Sequence, residues 1–225
     1  MLKTAIYGLG NWGQTLINSV HNKSDKIQIV QMITRDPSKY TEFAEKTGIP
    51  ISNNYEATLR NDTIEAVIVA TGHSVHGQHV EQAASAGKHV FCEKPLTHNV
   101  HESVQVMKAV KNKKAILQTG SMQRSSREFR VACELVRNGV IGKVKSTAVN
   151  IGNAGTPCDL PTEKEEPGLD WNRWIGPGPM RGYSSVLSPR GVHGHFPNWR
   201  NYKEYGGGMV CDLSLIHISE PTRPY

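Results

Sequence analysis

Short apolar runs and amphipathic stretches alternate along the first half of the chain. Thr4 to Tyr7 reads as a strand, Asn11 to Val20 as a helix, Ile27 to Ile33 as a second strand, and Pro37 to Thr47 as a helix that proline opens, with Asp36 as its N-cap. A short strand near Ile49 to Ser52 and a polar helix-like stretch lead to Glu65-Ala66-Val67-Ile68-Val69-Ala70. That continuous apolar run is the pattern of a strand buried on both faces. A helix ending at Gly87, the strand His89 to Cys92, a helix from Asn99 to Lys111 and the strand Ala115 to Thr119 follow. In the Asn99 helix, Val100, Val104, Met107 and the stem of Lys111 share one face, expected to be the packed one. This order predicts an α/β fold, a doubly wound parallel sheet over residues 1–121. A second, smaller α/β domain is expected over 122–212. It starts with a helix from Ser125 to Asn138, with Phe129, Ala132, Cys133 and Val136 on one face, and continues through Gly139 to Gly142 into the strand Lys143 to Ile151.

The first strand runs straight into Gly8-Leu9-Gly10-Asn11-Trp12-Gly13, a G-x-G-x-x-G turn that opens a helix inside a βαβ unit. Such a turn is a dinucleotide fingerprint: Gly8 permits the tight turn, Gly10 lets backbone approach a pyrophosphate, and Gly13 lets the helix pack closely on the sheet. Free N–H groups at the helix start favour the phosphates. After the second strand, Thr34 stands where an acid would bond the ribose 2′-hydroxyl, and Arg35 beside it suits a 2′-phosphate. NADP is therefore favoured over NAD, against the plainer reading of Arg35 as a solvated side chain. Ligands in such sheets sit beyond the strand C-termini, which adds Thr71, Gly72, His73 and His76 to the cofactor border, His76 near the nicotinamide ribose. At the end of the fifth strand comes Glu93-Lys94-Pro95. A lysine there can donate to a sugar oxygen and hold it beside the ring, although a surface lysine before a turn proline gives the same pattern.

Charge and composition change this picture little. The net charge of +6 comes from 26 basic and 20 acidic residues. The densest cluster, Lys108, Lys111, Lys113 and Lys114, ends one helix, where the dipole favours cations, so no nucleic-acid partner is expected. Cys92, Cys133, Cys158 and Cys211 form no C-x-x-C pair, and His73, His76 and His79 lack an acidic or thiol partner, so no metal is expected. With no apolar run of membrane-spanning length, no membrane association is expected either. No signal peptide precedes the first strand, and a cytoplasmic location follows.

Together, GLGNWG, the strand ending in CEKPL and the later GGGMVCD resemble the glucose-fructose oxidoreductase, inositol dehydrogenase and MocA family, over Met1 to Asp212. The resemblance implies a nicotinamide-binding Rossmann domain followed by an open-sheet α/β domain for substrate and oligomer contacts. It also implies that Lys94 is catalytic, as is Asp212, from a D-x-x-x-H helix. Arg124, where the second domain begins, joins Glu93 and Lys94 among the expected cofactor-binding residues. Trp174, Arg190, His193 and His195 lie in a Gly-, Pro- and Trp-rich stretch whose rings and cations suit a sugar. The same tryptophans could equally anchor a loop. After Asp212 the family pattern breaks, with Ile216 where the histidine belongs and His217 one place late. The run Leu213 to Arg223 is what a transposase sequencing adapter would encode, so 213–225 is expected to be non-native and the substrate domain incomplete. The reading is an NAD(P)-dependent oxidoreductase moving hydride between nicotinamide and a sugar or polyol, homo-oligomeric when whole. Its rivals are a redox-assisted glycosidase of the same fold and a non-catalytic NAD(P)-binding regulator.

Overall fold

Six strands of the first unit lie in one parallel sheet: β1 (Leu2–Tyr7), β2 (Ile27–Ile33), β3 (Ile51–Ser52), β4 (Ala66–Val69), β5 (His89–Cys92) and β6 (Leu117–Thr119). Their order is β3-β2-β1-β4-β5-β6, so the chain reverses direction of travel between β1 and β4. Helices α1 (Asn11–Val20), α2 (Thr41–Thr47), α3 (Tyr55–Arg60), α4 (His76–Ser85) and α5 (Val100–Lys113) connect the strands. This computed structural model describes residues 1–148, 150, 152–188 and 198–209, and the chain divides into two units, Met1–Ser121 and Met122–Tyr225.

Period-two alternation sends neighbouring strand residues to opposite faces. Ala5, Ile33, Val67, Val69, Val90 and Cys92 join Val80, Ala83 and Val106 in one core, on the side of α4 and α5. Ile6, Ile29 and Met32 join Leu9, Ile17 and Ile49 in the other, on the side of α1 and α2. The doubly wound expectation is met. An apolar cleft of about 330 Å³, lined by residues such as Leu16, Val20, Ile68, Phe91 and Ile116, opens on the α1 side. It lies along the sheet face rather than at the strand C-termini.

Helix boundaries follow local chemistry. The Asn99 side chain caps α5 by accepting from Glu102 N at 2.9 Å, while the Glu102 carboxylate accepts from His98 N at 2.9 Å. Lys114, in the left-handed conformation, ends that helix. Two expectations need correction here. Pro37–Tyr40 is a 3-10 turn that precedes α2, and Asp36 accepts from the Ser38 hydroxyl at 2.6 Å instead of capping with a backbone N–H. In α5, Val100 is 80% exposed and Met107 67%, whereas Val106 is buried and Val110 packs against the core. The buried seam runs one face over from the expected one because Val106 and Val110, spaced i, i+4, meet the sheet and α4.

In the second unit α6 (Arg127–Arg137) is capped by Ser126 and buries none of its residues, so the face of Phe129, Ala132, Cys133 and Val136 is not a packed one. The expected strand from Lys143 is absent over the described residues 143–148 and 150, all of them exposed. A strand must hand its N–H and C=O groups to a partner, and among the described residues none pairs with this segment. The packed part of the unit surrounds α7 (Trp171–Ile175), where Trp171, Ile175, Tyr183 and Leu187 form a small core with Trp174, Tyr202 and Tyr205 against it. Asp170 caps α7 by accepting from Arg173 N at 3.0 Å.

Candidate active site

Ladder hydrogen bonds carry the sheet just past its strands and align five chain segments at one edge. Gly8 N donates to Ile33 O, Thr34 N to Ser52 O, Ala70 N to Tyr7 O, Glu93 N to Val69 O and Gly120 N to Cys92 O, at 2.8 to 3.0 Å. The three glycines of the first turn then differ in what holds them. Gly8 has φ +105°, and a Cβ there would strike the Ala70 carbonyl. A Cβ on Gly13 would strike the Gly8 carbonyl, so this glycine lets α1 sit tight on the strand end. Gly10 meets neither constraint: its backbone is extended, at φ −59° and ψ 179°, and nothing lies within 4 Å of a Cβ built there. The fold does not require glycine at that position, whereas a ligand pressed against the backbone would. Gly10 is also the N-cap of α1, which has no side-chain cap, so the first N–H groups at Asn11, Trp12 and Gly13 are the positive end of the helix. These features fit a pyrophosphate. Leu9 contributes backbone only, its side chain being 2% exposed in the core, while Trp12 is partly exposed. At the end of β2 Thr34 is buried and Arg35 exposed.

Past β4 the chain runs through Thr71 and Gly72 into a 3-10 turn, His73–Val75, and then α4. His73 is exposed, its ring 5.6 Å from that of His76. His76 is 1% exposed, with Nδ1 2.7 Å from Pro95 O and Nε2 2.9 Å from Thr71 O. With both nitrogens committed to backbone carbonyls, the ring ties two loops together and neither nitrogen is directed to a ribose. Lys94 and Glu93 follow β5, Lys94 exposed and its N–H 3.3 Å from the Glu93 carboxylate. That carboxylate lies against Gly120, where a Cβ would come within 2.8 Å of Oε2.

A group beneath this edge was not foreseen. Tyr7, Tyr55 and His79 come from β1, α3 and α4, with the Tyr7 ring 4.5 Å from Tyr55 and 4.4 Å from His79. The Tyr55 hydroxyl donates to His79 O at 2.9 Å, and His79 Nδ1 lies 3.1 Å from the Thr71 hydroxyl. Burial, and then the charge of His76, push the His79 pKa down to about 4. Burial also pushes the Tyr55 phenol up, and the Cys92 thiol up to about 12, with Glu93 adding to the latter. The sequence signal for this group was only that Tyr7 directly precedes Gly8.

In the second unit Arg124 lies in the 3-10 turn Met122–Ser125. Trp174 is stacked on Trp171, centroids 4.7 Å apart and planes 5° from parallel, and the Trp171 indole donates to Arg181 O at 2.9 Å. The stack and this bond hold both rings in the small core around α7. Arg190, His193, His195, Asp212 and the 213–225 tail lie outside the described residues. Among the described residues no group of three or more His, Cys, Asp or Glu side chains converges as a metal site, and no helix is long and apolar enough to cross a membrane.

Comparison with known proteins gives a consistent set. Residues 2–121 match the family model for the Gfo/Idh/MocA oxidoreductases, NAD-binding Rossmann fold. The chain is 31% identical over 147 residues to Oxidoreductase P35 of Formosa agariphila, covering 65% of this chain and 46% of that protein. It is 32% identical over 143 residues to a myo-inositol 2-dehydrogenase of Thermotoga maritima, covering 63% of this chain and 42% of that one. Among solved structures it is similar to a scyllo-inositol dehydrogenase of Lactobacillus casei with bound NAD(H) and scyllo-inositol. The TM-score is 0.58 at 25% identity, over 63% of this chain and 42% of that chain. The chain spans less than half the length of the curated relatives it matches.

Proposed function

Because this chain belongs to the Gfo/Idh/MocA oxidoreductase family, we propose that it is an NAD(P)-dependent oxidoreductase acting on the carbinol group of a sugar or polyol. One observation carries the reading. The glycine turn, with an open place above Gly10, leaves β1 and Lys94 leaves β5, at the same edge of the sheet with β4 alone between the two strands, on either side of the reversal between β1 and β4. The N–H groups of Asn11, Trp12 and Gly13 would hold the pyrophosphate, and Arg35 would face an adenosine 2′-phosphate, which favours NADP over NAD. When bound, the nicotinamide supplies a carbon that exchanges hydride with the substrate. Lys94 has the chemistry to donate from its ammonium group to the reacting oxygen, orienting it and stabilising charge that develops there. The inositol dehydrogenases among the relatives support a cyclic polyol or sugar as the substrate class.

The test is Lys94→Ala in the protein expressed from its native gene, with NAD(P)H absorbance followed against a panel of inositols and hexoses. Loss of a transition-state donor lowers kcat by about a hundredfold or more, while cofactor affinity, set by the glycine turn, stays within a few fold. Near-normal turnover in the variant would remove Lys94 from the chemistry.

A further inference from the structure

The least expected feature of the sheet edge is the histidine inside it. A neutral imidazole donates at one nitrogen and accepts at the other, yet both nitrogens of His76 face carbonyl oxygens, Pro95 O at 2.7 Å and Thr71 O at 2.9 Å. Whichever nitrogen holds the proton, the ring is fixed between these two carbonyls and bridges them.

The two carbonyls belong to the two loops of the candidate site. Thr71 lies in the segment that leaves β4, and Pro95 follows Lys94. The Lys94 loop is held at its start by Glu93 N on Val69 O and at its far side by the Thr97 and Ser103 hydroxyls, 2.7 Å apart. The His76 bond holds its middle. We propose that His76 is a positioning residue for Lys94, a buried ring that ties the Pro95 carbonyl to the Thr71 carbonyl and so fixes the lysine relative to the end of β4. This rests on Lys94 being the group that contacts the reacting oxygen.

Three variants of the protein from its native gene, His76→Leu, His76→Gln and Lys94→Ala, separate the two ideas. Kinetics, cofactor titration and amide hydrogen exchange over residues 93–98 are measured on each. Losing this bridge should lower kcat in His76→Leu by roughly tenfold or more, with cofactor Kd within about threefold and faster exchange in the loop. His76→Gln, which keeps an amide donor, should recover part of both. Unchanged kcat and exchange in His76→Leu would overturn the proposal. If His76→Leu does not fold, kcat and loop exchange in His76→Gln decide, and native values of both there would overturn it. Normal turnover in Lys94→Ala would instead sink the Lys94 reading, and loop exchange would still report whether His76 holds the loop.

Discussion

Replacing Gly10 with alanine separates what the fold needs from what a ligand needs. Its backbone, at φ −59° and ψ 179°, is open to any L-residue, and a Cβ there meets nothing within 4 Å. Alanine removes chain entropy from the unfolded state, a gain of about 0.4 to 1 kcal/mol. It is a poorer N-cap than glycine by a similar amount, so the two effects offset and apo stability should move by less than about 1 kcal/mol. Dinucleotide binding should fall, because the methyl group occupies the space through which a pyrophosphate reaches the first N–H groups of α1. Losing one or two charge-assisted hydrogen bonds costs about 1.5 to 3 kcal/mol, roughly ten- to a hundredfold in Kd. Gly13→Ala is the opposite case. Its Cβ would overlap the Gly8 carbonyl, and overpacking of this kind costs about 1 to 3 kcal/mol of stability before any ligand is added. Urea unfolding without ligand and NADPH fluorescence titration measure the two quantities on each variant. Native affinity in Gly10→Ala, or a loss of stability equal to that of Gly13→Ala, would refute this assignment of the three glycines.

Arg35→Ala should weaken NADP by about ten- to a hundredfold and NAD by little, since only NADP has a 2′-phosphate to lose; equal losses in parallel titrations would end the preference for NADP. His79 gives a pH dependence. Its pKa is about 4 in the folded chain against 6.5 ordinarily, so the unfolded chain takes up the proton first. The stability from a neutral His79 is therefore complete above about pH 6.5 and is lost as pH falls toward 4. Two to three pKa units set a ceiling of about 3 kcal/mol, and the half-buried ring should realise roughly 1 to 2. His79→Phe, which keeps the ring contacts with Tyr7 and Tyr55, should flatten the fall in urea midpoint between pH 6.5 and 4, and an unchanged slope would assign that fall to other groups.

The strands and the glycine turn were legible because their signals are local. Tyr7-Gly8 is the strand end and the turn at once, and the run Ala66 to Val69 is apolar at every position because both faces are covered. The Tyr7, Tyr55 and His79 group was not legible. Its members come from a strand and two helices far apart in sequence, and nothing near Tyr55 marks it as a neighbour of Gly8. His76 was expected near a ribose, while both its ring nitrogens meet backbone carbonyls, since sequence shows which loop a histidine starts and not which carbonyls it meets. In α5 the stripe Val100, Val104 and Met107 showed an amphipathic helix, but the choice between that face and the one through Val106 is made by α4 and the sheet. Capping at Asn99, Ser126 and Asp170 forms within a few residues, as the side-chain bonds to Glu102 N, Phe129 N and Arg173 N show. The segment from Lys143 had the residues of a strand, but a strand is made by a partner, and among the described residues none pairs with it.

Register links the hydrophobic pattern to the chemistry. Residues 66–69 of β4 pair with 89–92 of β5, and 90–92 pair with 117–119 of β6. Glu93 N on Val69 O and Gly120 N on Cys92 O continue that register by one step, and Lys94 is the next residue out. Shifting β5 by one position would bring Phe91 to the place of Val90 and turn the apolar residues of both cores to the wrong faces. It would also move Lys94 by about 3.3 Å along the edge and turn its side chain to the other side of the sheet. The apolar alternation that assembles the two cores therefore also aims the lysine, and Gly8 is aimed the same way through its bond to Ile33 O and its contact with Ala70. The edge itself has little freedom left: what remains open to variation there is side-chain chemistry at Arg35 and His73, which are exposed and which the core does not constrain. Differences in cofactor or substrate preference among chains with this sheet should therefore concentrate at such positions, while Gly8, Gly13 and His76 answer to the fold and to the loops they join.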